Sequence, residues 1–110
     1  MTKALCLFLL SCFSFVMAEP VTEEKVIWID VRTFEEFETG HLEQAIHIPY
    51  QEIADKIESV SKDKQAKIKV YCKVGGRASL AKKALEQLGY TNVINAGGYL
   101  KILESMSQKP

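Results

Sequence analysis

Ile68–Leu88, IKVYCKVGGRASLAKKALEQL, is the stretch whose reading decides the fold. Val70 and Tyr71, with Lys67 and Lys69 alternating before them, read as a short strand that ends at Cys72. Lys73, Val74, Gly75, Gly76 and Arg77 read as a loop. From Ala78 the pattern turns helical, with Leu80, Ala81, Ala84, Leu85 and Leu88 assigned to one face and Gly89 at the C-cap. Cys72 is therefore expected where a strand gives way to a helix, the position at which open α/β sheets hold ligands. Inward-turned N–H groups of a glycine-rich loop and the helix dipole stabilise negative charge there. Thiolate, the attacking form of cysteine, is what such a setting favours. The glycines beside Cys72 argue for an exposed thiol in the loop rather than a core cysteine.

Working outward, strands alternate with helices. Val26–Ile29 reads as a buried strand ended by Asp30, and Thr33-x-x-Glu36 is a capping box for a short helix that stops at Gly40. Ala45–Ile48 is a second strand closed by Pro49. Ile53, Ile57 and Val60 mark an amphipathic helix over 51–60. Val93-Ile94-Asn95 is the last strand, and Leu100, Leu103 and Met106 mark a terminal helix. This order predicts a small α/β domain with a mainly parallel central sheet flanked by helices on both faces.

The 110 residues allow one domain, and 47% apolar with 25% charged residues is the composition of an ordinary globular protein. Fourteen basic residues balance fourteen acidic ones, which argues against a nucleic-acid partner or a charged membrane surface. Residues 1–18 read as a secretory signal: Lys3, then an apolar run, then Val16-Met17-Ala18 before a cleavage point at Glu19. The apolar run is too short for a transmembrane helix. Leu10-Ser11-Cys12 offers a weaker alternative, a lipoprotein cleavage site. Residues 19–110 are then the mature domain, in which Cys72 is the only cysteine left of three, so no internal disulfide can form.

Four motifs in order carry a family resemblance. Asp30-Val31-Arg32, Gly40-His41-Leu42 with Ala45–Pro49, Tyr71–Arg77, and Leu88-Gly89-Tyr90 with Asn95–Tyr99 resemble the signature segments of single-domain rhodaneses. Size, signal segment and the Asn-Ala-Gly-Gly run place the chain nearest the exported phage-shock protein E group. Its active-site loop departs from that group in having Gly75-Gly76 before Arg77, five residues after the cysteine. The resemblance implies a rhodanese-like domain and an exported, periplasmic thiosulfate sulfurtransferase that works without a cofactor. Cys72 would be the nucleophile that carries a persulfide. Backbone N–H groups from Lys73, Val74, Gly75, Gly76 and Arg77 would cradle the anionic donor, with the Arg77 fork and the Lys73 charge on its oxygens. The implied partners are thiosulfate and a thiophilic acceptor, cyanide in a test reaction and a thiol or protein in the cell. A monomer is the default state.

Rival readings fit less well. A cysteine phosphatase or arsenate reductase needs a loop one residue longer, and a thiol–disulfide oxidoreductase needs a second cysteine nearby. A rhodanese-like binding module without catalysis remains an alternative, against which Cys72 itself speaks. No cluster has metal-ligand spacing, and no P-loop lysine follows Gly75-Gly76. Asp30 is expected to pair with Arg32 or cap nearby amides rather than act as a base, His41 to be structural, and His47 to be a satisfied or exposed strand residue.

Overall fold

Lys67–Cys72 forms a strand because its residues alternate between two different surroundings. In the computed structural model, which describes residues 25–108, Ile68, Val70 and Cys72 join one buried cluster with Ile29, Val31, Ile53, Ile57, Ala78, Ala81 and Leu85. Tyr71, on the opposite face, meets Trp28 edge-on and stacks against Tyr99, and Lys69 lies over the Trp28 ring. That period of two sets two core layers on one sheet. The proposed signal segment, with Cys6 and Cys12, lies outside the described residues.

The elements run β1 (Val26–Asp30), α1 (Phe34–Thr39), β2 (Ile46–His47), a 3-10 turn Tyr50–Glu52 continuing into α2 (Ile53–Val60), β3 (Lys67–Cys72), α3 (Gly76–Gln87), β4 (Val93–Gly98) and α4 (Tyr99–Ser107). The sheet order is β2-β1-β3-β4, and every pairing is parallel. Helix α1 opens with the expected capping box, Thr33 Oγ1 accepting from the Glu36 N–H and Glu36 Oε1 from the Thr33 N–H. Helix α3 closes in a Schellman turn: Gly89, at φ +100°, donates to Glu86 and Tyr90 donates to Leu85. Leu85 and Tyr90 are both buried, which supplies the apolar contact that this turn favours.

Three expectations require correction. Helix α3 begins at Gly76 rather than Ala78, so Gly76 and Arg77 form its first turn and the connecting loop shrinks to Lys73–Gly75. Gly75 enters the helix at φ +106°, a conformation that a side chain would strain. The buried face of α3 is Ala78, Ala81 and Leu85, whereas Leu80 and Leu88 are exposed. Leu80 lies about 100° around the helix from Ala81, on the side away from Ala78, and Leu88 falls at the C-cap, beyond the last full turn. Cys72 is a fully buried strand residue, not an exposed loop residue.

β4 explains the short loop. Val70 pairs with Asn95 and Tyr71 with Gly97, so Ala96 is an inserted residue and β4 bulges. Beyond the bulge, Gly98 passes so close to the Lys73 carbonyl that a Cβ there would overlap it and lie 3.2 Å from the Val74 Cα. Gly98→Ala should therefore push the loop off β4. Overpacking against backbone predicts a loss of about 2 kcal/mol, to be read from urea unfolding midpoints.

Candidate active site

The short loop between β3 and α3 wraps one sulfur. Cys72 Sγ accepts N–H bonds from Gly75 at 2.9 Å and Ala78 at 3.3 Å. The Ala78 N–H belongs to the first turn of α3, so the sulfur faces a helix N-terminus. Asn95 fixes the loop from behind. Its Nδ2 donates to the Gly75 carbonyl at 3.0 Å, while its Oδ1 accepts from the Gly97 N–H at 2.8 Å. The Gly75 carbonyl also takes the Ser79 N–H, which starts the helical ladder. Directed N–H groups around one atom favour negative charge there.

Of the residues expected to cradle an anion, the structure places Gly75 on the sulfur and adds Ala78, which the motif reading passed over. Lys73 and Val74 are exposed, Val74 at 83%. Arg77 does not present an open fork. Its Nη1 and Nη2 donate to Glu36 Oε1 and Oε2 at 2.8 and 3.1 Å, a bidentate pair in which both side chains are 29% exposed. The Arg77 bonds, together with those from Thr33, pull the Glu36 carboxyl down to about 2, and Glu36 in turn holds Arg77 above its ordinary value. The sequence marks Glu36 as the third helical residue of α1 through its capping box. Its reach across 41 residues to Arg77 has no local signature.

A second arginine pair lies deeper. Asp30 accepts from Arg32 Nε and Nη2 at 2.9 and 2.7 Å, and Arg32 Nη2 also donates to the Gly40 carbonyl at 2.7 Å. The guanidinium lies 4.6 Å from the Tyr99 ring centroid and 5.7 Å from that of Tyr71. Asp30 thus pairs with Arg32 as expected. His41 stacks on Phe37 with Nδ1 2.7 Å from the Phe37 carbonyl, and His47 Nε2 lies 2.8 Å from the Arg32 carbonyl. Both histidines have structural partners, also as expected. Tyr71 receives the Leu42 N–H on its hydroxyl, and burial raises its phenol above the ordinary range.

Two clefts flank Lys73. One, of about 350 Å³, is lined by Arg32, Glu36, Thr39, Lys73, Tyr99 and Leu100. The other, of about 510 Å³, runs along Lys73, Val74, Ala96–Gly98, Leu100 and Lys101.

A parallel sheet with a buried cysteine at the strand-to-helix turn, sulfur turned toward backbone N–H groups, defines a cysteine-centred anion site on an α/β domain. Residues 16–105 match the rhodanese-like domain, and the chain belongs to that family. Thiosulfate sulfurtransferase PspE of Escherichia coli (strain K12) is 44% identical over 71 residues, which cover 64% of this chain and 68% of that protein. The protein HIGH ARSENIC CONTENT 1, mitochondrial, of Arabidopsis thaliana is 37% identical over 81 residues, 64% of this chain and 48% of its own. This chain thus spans about half of the plant protein. A solved rhodanese from E. coli, with anions, superposes with a TM-score of 0.67 at 41% identity, covering 69% of this chain and 89% of that one.

The Glu36–Arg77 tie carries a pH signature. Because folding depresses the Glu36 pKa, its stabilisation is complete above the ordinary value of 4.5 and disappears as pH falls toward about 2. Glu36→Gln keeps a residue able to close the capping box but removes the charge. Wild type should exceed Glu36→Gln in denaturant midpoint near neutrality, and the gap should close between pH 4.5 and about 2. A gap that stays constant across that range would mean that the charge of Glu36 is not what stabilises.

Proposed function

We propose that this chain is a thiosulfate sulfurtransferase that stores sulfur as a persulfide on Cys72. The observation that carries the reading is the Cys72 sulfur accepting N–H bonds from Gly75 and Ala78 at the β3–α3 turn. The 44% identity to PspE, a thiosulfate sulfurtransferase by name, supports the same chemistry. The Cys72 thiolate attacks the outer sulfur of thiosulfate, and the S–S bond breaks with its electron pair leaving on sulfite. The persulfide carries its charge on the added sulfur, which the loop N–H groups stabilise. A thiophilic acceptor then attacks that outer sulfur and Cys72 leaves as thiolate. With cyanide the product is thiocyanate; a thiol or a protein is the cellular acceptor. No step needs an external oxidant or reductant.

Donor recognition falls to the loop. Lys73, Val74, Gly75, Gly76 and Arg77 form the donor-binding segment, with Lys73 exposed at the junction of both clefts. A dianion gains more than a monoanion from these charges, which favours thiosulfate over mercaptopyruvate. Since Cys72 has no accessible surface, the mouth must part for the donor to reach it. The proposal includes export: residues 1–18 are removed as a signal, and 19–110 work as a single domain in the periplasm.

Two measurements test this reading. Mature wild type treated with thiosulfate should gain the mass of one sulfur atom and begin at Glu19, and Cys72→Ser should gain nothing while keeping its fold. A sulfur adduct on the Cys72→Ser protein would remove Cys72 from the mechanism, and a full-length exported chain would remove the signal. Lys73→Ala should raise KM for thiosulfate by about threefold with little change in kcat, an exposed-charge effect that shrinks in high salt. An unchanged KM would take Lys73 out of the donor site.

A further inference from the structure

Arg77 is the cation that the donor site would be expected to use, yet its guanidinium is already held bidentately by Glu36 at 2.8 and 3.1 Å. Among the described residues, Glu36 is also the only carboxylate lining the 350 Å³ cleft, whose other charged lining residues are Arg32 and Lys73. Arg32 is committed to Asp30 and to the Gly40 carbonyl, and is nearly inaccessible. The Glu36–Arg77 pair is different: each side chain retains 29% exposure, so solvent and small anions reach it. Partly exposed pairs are weak, and their partners exchange readily.

We propose that Glu36 is a specificity-determining residue of the donor site, a built-in carboxylate that holds the Arg77 fork until an anionic donor takes it over. This rests on the sulfurtransferase reading above. A donor oxygen pair then replaces the two Glu36 oxygens on Arg77, and the freed carboxylate remains in the cleft, where it repels the incoming anion. Glu36 therefore raises the cost of binding most for the most highly charged donors, and an oxygen pair that matches the fork is what overcomes it. Glu36 is anchored independently of Arg77, since Oε1 also accepts from the Thr33 N–H and hydroxyl. Its carboxylate consequently stays near the mouth in both states.

Replacing the charge while keeping the anchor isolates the effect, and Glu36→Gln does this. The amide oxygen still closes the capping box, whose third position accepts glutamine as well as glutamate. Without the competing charge, KM for thiosulfate should fall about tenfold while kcat changes little. For benzenethiosulfonate, which carries one negative charge and reacts at the same kind of S–S bond, the fall should be about threefold, because the Coulomb term scales with donor charge. Both changes should diminish in high salt. A lower kcat at unchanged KM, or equal shifts for the two donors, would overturn the proposal.

Binding is read separately from turnover by titrating sulfite, a dianion in mildly alkaline buffer, into wild type and Glu36→Gln and following the Arg77 side-chain NMR signal. Tighter sulfite binding by the variant, with movement of the Arg77 signal, supports the exchange. Equal affinities overturn it even if the variant turns over. If neither protein takes up sulfur from thiosulfate, the sulfurtransferase reading fails, and the sulfite comparison still decides whether Glu36 guards Arg77.

Discussion

The close approach of Gly98 to the Lys73 carbonyl is the constraint on which the site depends. Parallel pairing carries β3 and β4 to a common end at Cys72 and Gly98, and only a residue without Cβ lets the chain after Cys72 turn back over β4. Three residues then suffice to reach α3, with Gly75 in the left-handed conformation that closes the turn. Asn95 pins the same turn from the bulge by taking hold of the Gly75 carbonyl. The loop is thus shaped chiefly by its neighbour strand. The Gly75 N–H is held on Cys72 because both ends of the turn are fixed, and a preorganised donor need not rearrange when negative charge arrives.

The two arginine pairs obey different energetics, and the difference suits their places. Asp30 and Arg32 are buried, so stripping one partner would leave an unpaired charge in a dry interior, a loss of about 3–5 kcal/mol. That pair locks the end of β1 to Gly40 and stacks against Tyr99, and nothing about it invites exchange. Glu36 and Arg77 sit part-exposed between α1 and α3. Solvent reaches that pair, so breaking it strands no charge in a dry interior.

What could be read from the sequence follows locality. The Thr33–Glu36 capping box and the strand ending at Cys72 are written within four to six neighbouring residues and lie as read, and the glycine that ends α3 is there too, one residue past the C-cap Leu88. The parallel sheet follows from strands alternating with helices. The burial of Cys72 was not legible, because glycines beside a cysteine indicate a tight turn without saying what packs over it. Here the turn folds onto β4, whose bulge at Ala96 no periodicity reveals. Leu80 illustrates a different limit: apolar residues at 80 and 81 cannot both face the core, and only the partner helix and sheet decide between them. Glu36 was assigned its local role correctly, while its second role depends on α1 and α3 being neighbours.

Burial of Cys72 also changes what a lone thiol means. A free cysteine on an exposed loop is open to oxidants in solvent, because oxidation follows exposure. Here the sulfur is enclosed by the turn that follows it, with N–H bonds from Gly75 and Ala78 holding it inward. The same geometry therefore withholds the thiol from solvent and surrounds it with N–H donors. Shielding and hydrogen bonding of the sulfur thus come from one turn, so any change that opens the turn alters both at once.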